Sequence, residues 1–302
     1  MRQPLVSVVI PTYNRLPFLK EAVASIQAQT LKDWELIIVD DCSPDETWEW
    51  LQSLQAAQIK VFRQAENAER SAARNKGLSE AKGEFILFLD DDDRLRSNAL
   101  QDLVTAIARK AKLVAAVGAR WKFKKNSYGL RIQHPEFPFQ TKIWPELLFG
   151  WSAVPSQSLY RTSVVQAVGG WRTDLRIGED RYLWLKIARL GAVAIIPAIV
   201  VEYRAHGGQW RPKDIVAVRE KLFQEFISTL PAEAQPRGQR IRSSARQSQQ
   251  AEENYRAGQY WTAFRHYANA CRLAPGLVVS PLTGPPLVRG LAKSLLRPLI
   301  RR

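Results

Sequence analysis

Residues 85–95 read FILFLDDDDRL, an apolar run that ends in four consecutive aspartates. The apolar part predicts a buried β-strand. A carboxylate that is removed from water is costly unless a cation pairs with it. Two interpretations of the acid run, Asp90–Asp93, are therefore open: a solvated turn that caps a helix starting near Asn98, or a site that holds Mg²⁺ or Mn²⁺, which prefer oxygen ligands. The rest of the sequence decides between them.

Three more apolar stretches come earlier in the chain, at 5–10 (LVSVVI), 34–40 (WELIIVD) and 59–62 (IKVF), with helical patterns between them. Strands that are apolar throughout and alternate with helices predict an α/β fold with a mostly parallel, Rossmann-like sheet. Ligands of such sheets bind beyond the carboxyl ends of the strands. Polar clusters follow three strands, as PTYNR (11–15), DDCS (40–43) and the acid run. We expect these clusters to meet at one edge.

The composition limits the class of protein. The 302 residues carry a net charge of +15, which favours an anionic partner: nucleic acid, a phosphorylated ligand or an acidic membrane. Two cysteines form no disulfide framework or metal motif, which favours a reducing compartment. No stretch reaches the roughly 20 apolar residues of a spanning helix, and no leader sequence is visible. These features predict a cytoplasmic protein.

Several side chains near the expected edge suit a nucleotide, and each also has a structural interpretation. Asp40 and Asp41 could accept a hydrogen bond from a nucleobase imide, or could cap the following helix. Tyr13 could stack on the base, or close the edge of the core. Arg70 and Arg74 share one helical face, where they could bind a diphosphate or simply be solvated.

A second acidic pair, Glu179 and Asp180, follows Gly178 at the predicted start of a helix. The helix dipole stabilises carboxylates at such positions, which supports a structural role. A carboxylate there could also act as a general base. The residues alone leave both interpretations open.

Five segments occur in order: VSVVIPTYNR, ELIIVDDCS, ARNKGLSEAKGEFILFLDDDD, VGGWRTDLRIGEDRYLWLKIARLG and VEYRAH. Together they resemble glycosyltransferase family 2, the inverting nucleotide-sugar transferases, over Pro4 to His206. The resemblance implies a nucleotide-diphospho-sugar transferase fold. It also implies an enzyme that uses Mn²⁺ or Mg²⁺ and a nucleotide-sugar donor, with a UDP-sugar expected.

The same resemblance implies site residues, position by position. Asp180 matches the catalytic base, with Glu179 as its acidic neighbour. Asp90 and Asp92 match the D-x-D motif that carries the metal, and His206 matches a position near the metal or diphosphate. The positions implied to bind the nucleotide-sugar are Pro11, Tyr13, Asp40, Asp41, Arg74, Asp90 and Asp91.

The sequence departs from the family pattern at two places beside the expected nucleotide. Cys42 stands where a glycine commonly follows the paired aspartates, and the glycine often found before ARN is replaced near Glu69 and Arg70. The Q-x-x-R-W signature of processive synthases is missing. We therefore expect a non-processive enzyme whose donor sugar is not defined by the sequence.

The implied reaction is a single displacement at the anomeric carbon, in which Asp180 removes the proton of the acceptor hydroxyl. The implied acceptor is a carbohydrate or a lipid-linked glycan, and the implied pathway is the assembly of bacterial cell-surface polysaccharide. Trp151, Tyr160 and Trp171 could stack on acceptor sugars, although such side chains pack cores at least as often.

We expect two domains, a catalytic domain at 1–210 and a helical extension at 211–302. The basic, polar segment 231–250 predicts a mobile linker. Residues 254–275 resemble the second half of a tetratricopeptide repeat, which predicts a helical hairpin.

The tail, 286–302, reads PLVRGLAKSLLRPLIRR. Its leucines and its cations each recur every four residues, offset by two. This pattern favours contact with an anionic membrane, which would place the protein peripherally on the inner face of the plasma membrane. The alternative is a helix docked on the enzyme with a solvated basic face.

Two other classes of protein fit part of the pattern. A metal-dependent nucleotidyltransferase would also bring carboxylates to a sheet edge, but no matching glycine-rich phosphate loop precedes the first helix. A non-enzymatic nucleic-acid binder would suit the charge, but no recognised binding motif is present, so no nucleic acid is expected as a partner.

Overall fold

The computed structural model describes residues 3–54, 56–124, 127–132, 138–205 and 215–300. The chain forms two compact units. The sheet unit comprises Met1–Lys142 and Ala153–Ile215, and the helical unit comprises Ile143–Ser152 and Val216–Arg302. The expected domain boundary between residues 210 and 211 lies outside the described residues.

The sheet unit contains one ten-stranded sheet. Its strands are β1 Val6–Thr12, β2 Trp34–Asp40, β3 Ile59–Arg63, β4 Phe85–Phe88, β5 Arg94–Leu95, β6 Leu113–Lys124, β7 Ser127–Ile132, β8 Phe139–Thr141, β9 Ser158–Arg161 and β10 Ala192–Arg204. Its helices are α1 Leu16–Gln27, α2 Thr47–Ser53, α3 Glu69–Glu80, α4 Ala99–Ala108, α6 Thr162–Ala167 and α7 Glu179–Leu190.

The strand order is β3-β2-β1-β4-β9-β6-β10-β5, with β7 paired to β6 and β8 paired to β10. Strands β3, β2, β1 and β4 are mutually parallel, which confirms the predicted α/β class. Strand β9 is antiparallel to both β4 and β6. β1, β2 and β4 are buried along their whole length, as their uninterrupted apolar runs require of strands covered on both faces.

The register brings the polar clusters to one edge. Thr12 pairs with Asp40 at the ends of β1 and β2, and Val9 pairs with Phe88 on β4, two residues before the acid run. The backbone continues this alignment past the strands, because the Asp41 amide donates to the Thr12 carbonyl at 2.9 Å.

Helix α3 lies unusually close to β1. It packs with small side chains, and a Cβ added at Gly77 would lie 2.2 Å from Cγ1 of Val9. One turn earlier on the same helix, Arg74 is buried. The close approach of α3 to the sheet therefore sets the position of an arginine beside the acid run.

The helical unit is built from α5 Trp144–Phe149, α8 Ile215–Ser228, α9 Gln235–Arg256, α10 Tyr260–Leu273, α11 Pro275–Val278 and α12 Gly284–Ile300. Helices α9 and α10 pack against each other, where Ser244 donates to the Ala270 carbonyl at 2.7 Å and Tyr267 donates to Glu252 at 2.8 Å. The likeness of this pair to a tetratricopeptide repeat stays a prediction.

The mobile linker predicted at 231–250 is wrong, because α9 begins at Gln235. Its polar side chains are not all solvated: Arg242 is buried, forms an ion pair with Glu220 and donates to the Leu148 carbonyl at 2.5 Å. Gly238 permits a close approach to Ile227. A polar helix is stable here because its arginine finds partners that lie far away in sequence.

Membrane contact by the tail stays a prediction, but the first leucine of the tail is not available for it. Leu287 is 1% exposed and packs with Ala251 and Tyr267, whereas Leu295 and Leu296 are 38% and 52% exposed. A four-residue spacing advances about 40° around a helix at each step, so successive leucines rotate from the core toward solvent. Among the described helices, none has the length and apolar character needed to cross a membrane.

Candidate active site

The three polar clusters line one cleft of about 530 Å³ at the carboxyl ends of β1, β2 and β4. Of the sequence-predicted residues, the cleft is lined by Pro11, Tyr13, Asp41, Arg70, Asp90, Asp91 and Asp92; its other lining residues are Thr12, Arg15, Asn67, Glu69, Arg176 and Tyr203. The structure thus brings together side chains that are up to 192 positions apart, from Pro11 to Tyr203.

The acid run is a set of paired, largely buried carboxylates and not a solvated turn. Asp90 forms an ion pair with Arg74 at 2.6 Å. Asp91 accepts from the Thr12 hydroxyl at 2.9 Å, and Arg15 bridges it to Asp92 at 3.2 and 2.9 Å. The solvated-turn interpretation is therefore wrong, since the carboxylates are held by cationic and hydroxyl groups.

Burial changes the protonation of this run. Burial, with a smaller contribution from the charge of Asp92, raises the pKa of Asp91 to about 6 against the opposing effect of Arg15. Asp93 is fully buried and accepts from the Arg204 amide at 3.0 Å. Its pKa is raised well above the usual range by burial and by the charges of Asp90 and Asp92. Asp91 and Asp93 are the carboxyls that the fold keeps from water.

The polar cluster after β2, DDCS (40–43), supplies one residue that lines the cleft and one residue with a structural role. Asp41 lines the cleft and accepts from the Ala68 amide at 2.9 Å and from the Gln64 side chain. Asp40 is fully buried and accepts from the Ser43 amide at 3.0 Å. The interpretation of Asp40 as a cap of the following turn fits this geometry.

The two departures from the family pattern fall on unusual backbone. Cys42 has φ 64° and Glu69 has φ 71°, in the left-handed region that favours glycine. Each position therefore suits the glycine that the family pattern has nearby. A side chain there costs on the order of 1 kcal/mol or more of backbone strain.

Arg74 is a buried junction and not a solvated helix arginine. It contacts Asp90 at 2.6 Å and Glu179 at 3.4 Å, and its guanidinium lies 4.3 Å from the ring centre of Trp171. Glu179 also pairs with Arg70 at 3.0 Å. Arg74 therefore connects the acid run to Glu179, the first residue of α7, and Arg70 is a second cation on Glu179.

The predicted base lies next to this junction. α7 begins at Glu179 after Gly178, and Asp180 is partly exposed in its first turn. Burial and then the charge of Asp180 raise the pKa of Glu179, while Arg70 and Arg74 oppose the shift. The charge of Asp180 in turn helps raise the pKa of Arg74. Neither acid is among the residues that line the cleft, although Glu179 pairs with Arg70, which does line it.

The chemistry of Asp90 and Asp92 fits a hard divalent cation, because both offer carboxylate oxygens beside the cleft. Within the described residues, no group of three or more His, Cys, Asp or Glu side chains is arranged to hold a metal ion. His206, the remaining predicted metal residue, lies outside the described residues. A bound metal would therefore rest on one or two carboxylates plus donor oxygens, as Mg²⁺ often does.

The structure places Tyr160 and Trp171, two of the three aromatics considered for acceptor stacking, in the core of the sheet unit. Tyr160 is fully buried with its ring 5.0 Å from that of Trp184, and Trp171 is buried 5.1 Å from Phe88. The interpretation of Tyr160 and Trp171 as stacking surfaces for acceptor sugars is therefore wrong. Trp151 is partly exposed in the helical unit.

Sequence reasoning missed Arg15 and Thr12 as partners of the acid run. Both lie in PTYNR, the polar segment after β1, so their positions at the edge were readable. Their pairing was not, because Arg15 and Asp92 are 77 residues apart and nothing local joins them.

The parallel strands and the acidic and basic side chains at their ends define the nucleotide-diphospho-sugar transferase fold, a class of α/β enzymes. Residues 7–169 match the family described as "Glycosyl transferase family 2", more than half of the chain. The chain belongs to this family.

Individual proteins that are similar to this chain are also glycosyltransferases by name or share its fold. The chain is 45% identical over 104 residues to a Campylobacter jejuni "GalNAc(5)-diNAcBac-PP-undecaprenol beta-1,3-glucosyltransferase" (33% of this chain, 34% of the relative). It is 41% identical over 101 residues to the Bacillus subtilis "Putative teichuronic acid biosynthesis glycosyltransferase TuaG" (33% and 40%). It thus spans well under half of either relative. The fold is similar to S. aureus TarS 1–349 in complex with UDP-GlcNAc, with TM-score 0.64 and 20% identity over 97% of this chain and 81% of that one.

Proposed function

We propose that this chain is a non-processive, inverting glycosyltransferase that moves a sugar from a UDP-sugar to a hydroxyl of a carbohydrate or lipid-linked acceptor. The observation that carries the proposal is the meeting of the acid run, Asp41 and the Arg70–Arg74–Glu179 junction at one sheet edge. Family membership supports it, and so does the similar fold of a protein solved with UDP-GlcNAc.

The lining residues suit two parts of the donor. Tyr13 and Asp41 offer an aromatic face and a carboxylate acceptor, which suit a uracil ring and its imide N–H. Arg70 also lines the cleft, and its guanidinium suits a phosphate oxygen. Asp92 and Asp90 would hold Mn²⁺ or Mg²⁺, which would supply Lewis-acid stabilisation of the departing diphosphate.

Asp180 would accept the proton of the attacking hydroxyl. Its position in the first turn of α7 gives it partial exposure, which an acceptor hydroxyl requires. Glu179, buried beside it, is held by two arginines and orients the helix terminus without reaching the cleft. A positioned base typically contributes about 10²–10⁴-fold in rate. Attack on the face opposite the diphosphate would invert the anomeric carbon.

The acceptor and the location are proposed from the relatives and from α12. One relative's name specifies an undecaprenol-linked glycan, and another's specifies teichuronic acid biosynthesis. Residues 254–302 hold eight Lys and Arg and no Asp or Glu. On α12, Val288, Leu295 and Leu296 form an exposed apolar strip beside Arg289 and Lys293. We propose that this strip rests on an anionic bilayer, at the inner face of the plasma membrane.

The experiment is a donor panel. UDP-, GDP- and dTDP-sugars are incubated with the protein, Mn²⁺ or EDTA, and acceptors that include a polyprenyl-diphosphate-linked sugar. We expect release of UDP that requires Mn²⁺ and acceptor, with inversion visible in the proton NMR spectrum of the product. In a parallel reaction with added pyrophosphate, formation of UTP and a sugar 1-phosphate in place of UDP would indicate a nucleotidyltransferase. Binding of nucleic acid without turnover of any donor would indicate the non-enzymatic alternative.

A further inference from the structure

Arg15 occupies the position where a cation is needed. It lies between β1 and α1, and its Nη1 contacts Asp91 Oδ1 at 3.2 Å and Asp92 Oδ2 at 2.9 Å. Its side chain is 38% exposed, whereas those of Asp91 and Asp92 are 8% and 13% exposed. A single guanidinium on a solvent-accessible stem therefore neutralises two mostly buried carboxylates at the cleft wall.

Arg74, another cation that contacts the acid run, has no such freedom. Arg74 is 2% exposed and is fixed by Asp90, by Glu179 and by the face of Trp171. Moving it would leave Glu179 and Asp90 without its charge inside the protein, which is expensive. Asp91 also keeps the Thr12 hydroxyl when Arg15 moves. Of Arg15 and Arg74, Arg15 is thus the cation that can leave its carboxylates at low cost.

We propose that Arg15 is an exchangeable counter-ion of the acid run. It holds Asp91 and Asp92 when the cleft is empty, gives up Asp92 to a divalent cation, and then contacts the anionic diphosphate of the donor in the same cleft. This inference rests on the proposed function. It predicts that metal and nucleotide bind cooperatively, because the metal alone must displace Arg15 while the nucleotide gives Arg15 a new partner.

The test is Mn²⁺ binding measured by EPR, in the absence and in the presence of UDP. Arg15→Ala should bind Mn²⁺ alone about tenfold more tightly than the unmodified protein, the effect of removing one competing ion pair. Arg15→Ala should also bind UDP more weakly than the unmodified protein does. UDP should increase the Mn²⁺ affinity of Arg15→Ala by a smaller factor than it increases that of the unmodified protein. Arg15→Lys keeps the charge and should stay near the unmodified protein.

Arg176→Ala is the matched control, because Arg176 lines the same cleft but pairs with Glu69 and not with the acid run. It should change Mn²⁺ binding by less than about threefold, the effect of one screened charge. Equal Mn²⁺ affinities for Arg15→Ala and the unmodified protein would overturn the inference. Equal gains in Mn²⁺ affinity for Arg15→Ala and Arg176→Ala would overturn it as well. In either case, binding of Mn²⁺ and UDP by the unmodified protein would still support the proposed function. Failure of the unmodified protein to bind either Mn²⁺ or UDP would overturn both.

Discussion

Arg74, on the buried face of α3, and Asp90, the first residue of the acid run, form an ion pair of 2.6 Å. Arg74 reaches that position because Gly77, one turn later, lets α3 lie against β1. The same guanidinium contacts Glu179 at the start of α7. The packing of α3 on β1 is therefore coupled to the positions of the acid run and of the acidic pair Glu179–Asp180.

Replacement of Arg74 by methionine should destabilise the protein by about 3–5 kcal/mol, because it leaves two carboxylates without their buried partner. Urea denaturation gives the free energy of unfolding. Lys76→Met on the same helix is the control, since Lys76 pairs with Glu80 on the surface, and it should cost less than about 0.5 kcal/mol. Similar losses for the two variants would show that Arg74 is not a structural junction.

The close contact of α3 with β1 makes a second prediction. Gly77→Ala should cost about 1–3 kcal/mol by overpacking against Val9, and should weaken UDP binding because Arg74 moves with the helix. In a Val9→Ala background the same substitution should cost much less, since the clashing methyl group is gone. A double-mutant cycle in urea measures this coupling. Additive effects would mean that the two side chains do not meet.

Glu179 gives a pH dependence with a defined sign. Its pKa in the folded protein is raised above the ordinary 4.5 by burial and by Asp180. The folded state therefore binds this proton more tightly than the unfolded state does. Stability relative to Glu179→Gln should be greatest below pH 4.5 and should fall as the pH rises through the folded pKa. A relative stability that increases with pH would show that Arg70 and Arg74 outweigh burial.

The exposed strip on α12 predicts binding to anionic vesicles. Leu295→Asn with Leu296→Asn should release the protein from phosphatidylglycerol-containing vesicles in a sedimentation assay, with little change in stability, because both side chains are exposed. Val279→Asn is the control, since Val279 is exposed but lies outside α12. Undiminished sedimentation of the double variant would contradict the proposed membrane contact, as would equal binding to neutral vesicles.

The sequence predicts the part of the structure that local patterns encode. Continuous apolar runs reveal β1, β2 and β4, and parallel topology then brings Asp41 and the acid run to one edge. Partners remote in sequence are not encoded in this way: Arg15 pairs with Asp92, and Arg242 of α9 pairs with Glu220. That is why the acid run was open to a solvated interpretation and why 231–250 resembled a linker. The burial of Tyr160 depends on β9 lying between β4 and β6, a long-range pairing that no pattern of four residues specifies.

The transfer rate of Asp180→Asn, measured together with its donor affinity, tests the central claim most directly. The substitution removes a proton acceptor in the first turn of α7 and leaves Asp41 and the acid run unchanged. We predict that transfer falls by about 10²–10⁴-fold, while the Kd for the UDP-sugar changes by less than about threefold. Asp174→Asn, in the exposed segment before α7, should leave both quantities unchanged. Normal transfer by Asp180→Asn would contradict the proposed site.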